Sequence, residues 1–461
     1  MRRTRRRRPL WPWSIAVAAA IAGASLWLAR ARGGERYDYV IYGASIVDGS
    51  GGRPYTGGIG VTGDRIAAVW RGTPLLPPHA TVRAIDAHGL MLTPGFIDTH
   101  THVDLGLGGG TSPIRADNFV EQGVTTVIAG NCGRSPISPD LLRRIVDARH
   151  SNVNIAELAG LNSIRHQLLG DSPAAPTAEQ TAQLCEIVDQ WMRDGALGVS
   201  TGYAYIPGRF ATPSEITAEL RVAQRYGGIH ATHIRDEGSG ILAALDEALT
   251  ASRAAGIPIL VSHLKITGRA NCALYGRVLT KFASYRASSG AAGLFFDQYP
   301  YDASSTDLEL YLPTWFLALP EWKRYDILAR HRDELHRDVR ARLLQERFPD
   351  LSFASVASYP RRNEFRGRAL SAIDANFYGH PRSTIDSQID VMFDMLMHGG
   401  AQMIYHNICE DVLLRIPRDL PAMVGSDSAI RYDDGRSLPH PRDLGFEPDR
   451  KSTRLNSSHR T

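Results

Sequence analysis

"LTPGFIDTHTHVD", Leu92 to Asp104, runs from an apolar stretch into two histidines one residue apart. On a strand, residues i and i+2 share a face. His100 and His102 therefore point the same way and can grip one cation together. A lone histidine after an apolar run is usually a hydrogen-bonded structural residue. The pair gains meaning only from the rest of the chain.

From about Pro94 onward, short apolar runs alternate with amphipathic stretches. The runs are Phe96–Asp98, Thr125–Ala129, Ile155–Ala159, Leu197–Ser200, Ile229–Ala231, Ile259–Ser262, Gly293–Phe296 and Met423–Gly425. Between them lie segments of helical period such as "AEQTAQLCEIVDQWMRDG" and "SGILAALDEALTASRAAG". Continuous apolar strands alternating with helices predict parallel units buried on both faces. About eight of them predict an α/β chain folded as a TIM-like (β/α)8 barrel. The stretch from about 302 to 422 is too long for one crossover, and it reads as extra helices over the barrel mouth.

Barrel chemistry sits at the C-terminal ends of the strands. Those ends carry His100, His102, Cys132 in "VIAGNCG", His233 in "IHATHIRDEG", His263 in "ILVSHLK" and Asp427 in "MVGSDS". Taken singly, each has a plain structural reading: a buried cysteine is a small hydrophobe, and a Ser-Asp pair is a helix cap. Five metal-type ligands and a carboxylate, all at strand ends of one barrel, point instead to a metal centre. His233 and His263 come from successive strands and can hold a second cation, with Cys132 shared between the two. Zinc favours imidazole nitrogen and thiolate, and a hydrolytic site keeps a position open for water.

Before the barrel, residues 35–92 read as strands. "YDYVIYGASIVDG", "GGIGVTGDRIAAVW" and "TVRAIDAHGLMLT" are β-branched runs separated by turn residues, which predicts part of a small β-domain.

The two ends read differently. Residues 1–34 begin with six arginines in the first eight positions, then run uncharged from Pro9 to Ala29. A basic flank before an apolar stretch of that length predicts either an uncleaved signal anchor or a cleaved signal peptide. The main domain would then be anchored in the inner membrane facing the periplasm, or secreted or periplasmic if cleaved. At the other end, "DRKSTRLNSSH" within residues 447–461 resembles the translation of a common sequencing adapter. The tail is expected to be non-native, with the natural protein continuing from about Pro448.

Composition narrows the partners. The chain of 461 residues carries a net charge of +4, most of it explained by the arginines at the start. No basic stripe follows, so no nucleic-acid partner is expected; protein partners are not legible. The only lysines are Lys265, Lys281, Lys323 and Lys451. Cys132, Cys185, Cys272 and Cys409 are too few for a disulfide framework.

These residues carry a resemblance. "PGFIDTHTHVD", "GVTTVIAGNCG", "ATHIRDEG", "VSHLK", "YPYDASST" and "VGSDS…PHPR" are similar to motifs of the N-acyl-D-amino-acid deacylase (D-aminoacylase) family of the amidohydrolase superfamily, over about Tyr37 to Phe446. Hydantoinases and dihydroorotases usually bridge two metals with a carboxylated lysine on the fourth strand. Here that strand reads "GALGVSTG", no lysine precedes Lys265, and Cys132 is the available substitute.

The resemblance implies a tight Zn2+ site on Cys132, His233 and His263, and a second, weaker position on His100 and His102. It implies Asp427 as catalytic carboxylate, and Lys265, Tyr299, Ser305 and Arg442 as holders of the substrate's α-carboxylate. It implies a barrel over 93–446 with a β-sandwich that 35–92 leaves incomplete. The implied reaction is cleavage of an N-acyl-D-amino acid by metal-activated water, with Asp427 shuttling the proton. The alternatives are a zinc amidohydrolase of cyclic amides or dipeptide-like substrates, or a truncated inactive fragment.

Overall fold

The computed structural model describes residues 36–72, 81–107, 111–288 and 293–430. The signal segment 1–34, the adapter-like tail 447–461 and Arg442 lie outside the described residues. Among the described residues, no helix is long and apolar enough to cross a membrane. The chain divides into two compact units between Gly95 and Phe96.

The first unit is a sheet of β1 (Tyr37–Ile46), β2 (Tyr55–Thr62), β3 (Arg65–Arg71), β4 (Thr81–Asp86) and β5 (Met91–Leu92). The order is β3-β2-β1-β4, with β5 pairing the end of β1. β1 is antiparallel to β2 and parallel to β4. Tyr37, Val40, Ala44 and Ile46 of β1 are buried, as suits the central strand.

The second unit is built on β6 (Phe96–Asp98), β7 (Val124–Ala129), β8 (Asn154–Glu157), β9 (Ala159–Gly160), β10 (Gly198–Gly202), β11 (Ile229–His233), β12 (Ile259–Val261) and β13 (Leu294–Gln298). There follow β14 (Ser304–Asp307), β15 (Ala354–Ser358), β16 (Gln402–Tyr405) and β17 (Ala422–Val424). Parallel pairings run β6-β7-β8 and β9-β10-β11-β12-β13-β17. β8 leads into β9 through Leu158, whose N–H donates to Ala129 O at 3.0 Å. A parallel bridge from Thr101 to Ser428 brings the last strand's end back to the first. With β8 and β9 as one stave, the ring has eight.

Its strands are short, and burial is deepest in the middle of the run, where every residue of β10 and β12 is buried. Leu158, Ala231 and Leu260 fill the interior with Ile128, Ile229 and Met423. A larger cluster packs helices against the outside, including Leu184, Leu220, Leu245 and Phe282. Local chemistry sets the helix starts. Thr177 with Gln180 and Thr212 with Glu215 form capping boxes, and Pro213 occupies the first turn.

The stretch between β13 and β17 differs from the all-helical reading. It holds helices, but also β14, β15 and β16 in an antiparallel sheet of order β14-β16-β15. These strands are four or five residues long and polar on one side, so they carry no clear apolar run. The segment has its own core, which includes Leu335, Val339, Phe365, Phe393 and Met403. It is also stapled to the ring. Cys272, after β12, and Cys409, after β16, form a disulfide across 137 residues of sequence. Cysteine count alone did not reveal this pair; Cys132 and Cys185 stay free.

Candidate active site

Three strand ends place their key side chain on an unusual backbone. Cys132, His263 and Asp427 have φ of 54°, 36° and 56°. Residues with a Cβ rarely occupy this region, and each costs on the order of 1–3 kcal/mol there. The turn after β7 explains the spelling "GNCG". Gly130 and Gly133 have φ of 74° and 76°, and a Cβ would lie 2.0 Å from Leu158 O at the first and 2.2 Å from Asn162 Oδ1 at the second. Only glycine fits at positions 130 and 133, which bracket Asn131 and Cys132.

Those turns bring the sulfur to the centre of a histidine cluster. Cys132 Sγ lies 3.4 Å from His100 Nε2, 3.5 Å from His263 Nε2 and 3.6 Å from His233 Nδ1. The His233 and His263 rings are 4.4 Å apart, and those of His100 and His263 4.8 Å. His102 faces Asp427, Nε2 to Oδ1 at 3.0 Å, and the same oxygen is 3.7 Å from His100 Nε2. His102 Nδ1 is buried with no hydrogen-bond partner among the described residues.

The ligand atoms fall into three compact sets: His100 with Cys132 and His263; His100 with His102 and Asp427; and His233 with Glu237 and His263. The five expected ligands are thus gathered at one place. Their division differs in emphasis from the expected pairs, since His100 lies as near the sulfur as His263 does.

Two carboxylates that pattern reading missed stand behind the histidines. Asp297, in β13, has Oδ2 3.3 Å from His100 Nδ1, and its Oδ1 accepts the His263 N–H at 2.5 Å. Glu237 Oε1 lies 3.1 Å from His263 Nδ1 and 3.9 Å from His233 Nε2. Such carboxylates fix ring orientation and leave the other nitrogen for a metal. A signal existed for both. Asp297 is a lone charge inside "GLFFDQ", and Glu237 follows His233 by four residues. Asp98 is a third, accepting the N–H groups of His100 and Ser426 at 3.1 and 3.0 Å. Burial lifts its carboxyl to about 6 despite those bonds.

The electrostatics suit a cation. Burial pushes the Cys132 thiol up, but the positive character of His100 and His263 outweighs it and holds the thiol well below its ordinary range. Burial likewise opposes ionising Glu237, yet the Lys265 ammonium and the neighbouring histidines hold it well below the carboxylate range. A buried thiolate ringed by imidazoles, two of them oriented by carboxylates, is a donor set of zinc type. No lysine can bridge. Lys265 Nζ is buried and engaged by Glu237 Oε1 at 2.6 Å and His263 Nδ1 at 2.9 Å.

One cavity of about 1390 Å³ contains this cluster and reaches the 299–421 segment. Lys265 and Tyr299 line it, buried, with Nζ 5.3 Å from the ring centroid. Ser305, on β14, lines it too, and its Oγ accepts from Gln402 Nε2 at 3.1 Å. Tyr205 closes one side; its hydroxyl is 3.4 Å from His233 Nδ1.

Comparison with known proteins agrees in family. The model of the amidohydrolase family matches residues 83–415. The chain is 33% identical over 341 residues to the D-aminoacylase of Alcaligenes xylosoxydans xylosoxydans, covering 66% of this chain and 68% of that protein. It is 33% identical over 303 residues to the N-acyl-D-glutamate deacylase of the same organism, covering 59% of each. Among solved structures it resembles the N-acyl-D-glutamate deacylase of Bordetella bronchiseptica, in complex with zinc and a phosphonate mimic of the tetrahedral intermediate. That match has a TM-score of 0.70 and 28% identity, covering 88% of this chain and 78% of that one.

Proposed function

The chain belongs to the amidohydrolase family, among its D-aminoacylase-like members, and on that premise we propose that it hydrolyses the amide bond of N-acyl-D-amino acids to a carboxylic acid and a free D-amino acid. The observation that carries this is one cavity lined by Cys132, His102, His233, His263 and Asp427, with His100 buried behind the sulfur, beside a buried lysine. The D configuration is supported by the names of the relatives.

Zinc would be held tightly by Cys132, His233 and His263, with His100 and His102 as a second, weaker position. When bound, it supplies a Lewis acid that acidifies water and polarises a carbonyl. Asp427, exposed to the cavity and 3.0 Å from His102 Nε2, takes the proton of the attacking water at its carboxylate. It then hands that proton to the departing nitrogen, because an amine leaves poorly unprotonated. Lys265, with Tyr299 and Ser305, receives the substrate's α-carboxylate. Glu237 holds the ammonium in place until the substrate arrives. Arg442 is proposed for the same carboxylate.

We also propose that the protein acts outside the cytoplasm, attached through its N-terminal segment or released after cleavage. The Cys272–Cys409 bond supports this, since disulfides persist in oxidising compartments.

The test is direct. The zinc-supplemented protein should release amino acid from N-acyl-D-amino acids and not from the L-enantiomers, and Asp427→Asn should slow release by about 100-fold or more. Equal inertness of wild type and variant on every N-acyl amino acid would end the reading.

A further inference from the structure

Five arginines line the same cavity: Arg134 next to Cys132 and its glycine turn, Arg209 after β10, Arg235 after β11, Arg324, and Arg342 from the helix Arg332–Gln345. Three are neutralised, Arg324 by Glu309, whose Oε1 lies 3.4 Å from Nη1. Arg235 grips both oxygens of Glu247, each at 2.8 Å. Arg342 Nε lies 3.3 Å from Glu346 Oε1, and Nη1 donates to Leu310 O at 2.8 Å.

Among the described residues Arg134 and Arg209 meet no carboxylate; Arg134 lies over the Tyr205 ring, whereas Arg209 is set among other arginines. Its one side-chain hydrogen bond among the described residues goes from Nη1 to the Thr314 hydroxyl at 3.0 Å. It forms no ion pair there. The acid whose field reaches it, Asp236, spends Oδ1 on the Gly238 N–H at 2.6 Å. Burial, with Arg235 and Arg342 close by, pulls the Arg209 guanidinium below its ordinary range. A half-buried cation with like-charged neighbours and no counter-ion is costly unless something negative joins it. Its Nε and Nη2 remain to meet a carboxylate in the planar fork geometry. Thr314 anchors the third nitrogen and so orients the fork.

We propose that Arg209 is the receptor for a second carboxylate on the substrate, so that the enzyme prefers N-acyl derivatives of acidic D-amino acids to neutral ones. The inference rests on the deacylase reading above and deepens it. The α-carboxylate is met at Lys265, and the side-chain carboxylate is met at Arg209, held by Thr314. The relatives leave this choice open, since a D-aminoacylase and an N-acyl-D-glutamate deacylase match at the same 33% identity.

The experiment compares kcat/KM for N-acetyl-D-glutamate with that for its uncharged isostere N-acetyl-D-glutamine, and includes N-acetyl-D-leucine. A charged hydrogen-bonded pair predicts an acid-to-amide ratio of about tenfold or more in the wild type. Arg209→Met should bring the ratio close to one, chiefly through KM, and Arg209→Lys should keep part of it. Arg134→Met is the control for position. Arg134 also lines the cavity, 5.4 Å over the Tyr205 ring, and its loss should leave the ratio standing. A wild-type ratio at or below one overturns the proposal, even if the Arg209 variants fail to fold. So does a ratio that collapses in Arg134→Met and survives in Arg209→Met. Cleavage of the leucine and glutamine substrates with refusal of the glutamate substrate sinks this inference alone. No cleavage of any N-acyl-D-amino acid sinks the deacylase reading and this inference with it.

Discussion

Asp297 Oδ2 lies 3.3 Å from Nδ1 of His100, and neither side chain has any exposure to solvent. The carboxylate sets which nitrogen of His100 is left for the sulfur side of the cluster. Asp297→Asn keeps the shape and removes the charge. Zinc affinity should fall about 10- to 100-fold, as for other supporting carboxylates. Competition against a chromogenic chelator measures it. Unchanged affinity would show that His100 does not depend on Asp297.

Asp427 combines a reactive carboxylate with a left-handed backbone, φ 56°. Asparagine tolerates that conformation as well as aspartate does. Asp427→Asn should therefore lower kcat by about 10²- to 10⁴-fold, the worth of a general acid–base group, with little change in Tm. Asp427→Val should lose activity and melt earlier, because a β-branched residue is strained there. Equal melting of the two variants would contradict the backbone argument.

Glu157 is a buried carboxyl whose oxygens have no hydrogen-bond partner among the described residues. Burial, with the nearby Asp104 carboxylate adding to it, raises its pKa to about 9. The folded state thus holds a proton that the unfolded chain releases near 4.5. Its stabilising share is fully present below about 4.5 and is lost as pH rises towards 9. Glu157→Gln should flatten the alkaline fall in stability and raise Tm at pH 8 to 9. Parallel Tm profiles of variant and wild type from pH 6 to 9 would refute it.

The Cys272–Cys409 disulfide is laced by backbone bonds next to the cavity. Gly268 N donates to Asn407 O at 2.8 Å, and Cys409 N to Ile266 O at 2.9 Å. Lys265 is the neighbour of Ile266. Cys272→Ser with Cys409→Ser should cost about 2–4 kcal/mol of stability, mainly by freeing the unfolded chain. KM should rise more than kcat falls, because the loosened strand carries the substrate-holding lysine. Thermal melts and steady-state kinetics with and without reductant check both effects.

Much of the site could be read before any coordinates. His100, His102, Cys132, His233, His263 and Asp427 each follow an apolar run, and the parallel strands place such residues at one end of the ring. Asp297 and Glu237 were missed because their roles are relational. A charge within a buried strand announces that it has a partner, but not which one. The antiparallel strands β14 to β16 were missed because short, half-polar strands lack a distinctive period.

What the sequence by itself determined is local: strand and helix periods, caps such as Thr212 with Glu215, and glycines beside Cys132 where no Cβ fits. These depend on neighbours a few residues away. Only the tertiary structure decided which distant groups meet. Asp297 reaches back to His100 across 197 positions, Cys272 finds Cys409, and Arg209, among the described residues, meets the Thr314 hydroxyl and no carboxylate. Burial and charge pairing act through space, and the order of residues along the chain does not encode those distances.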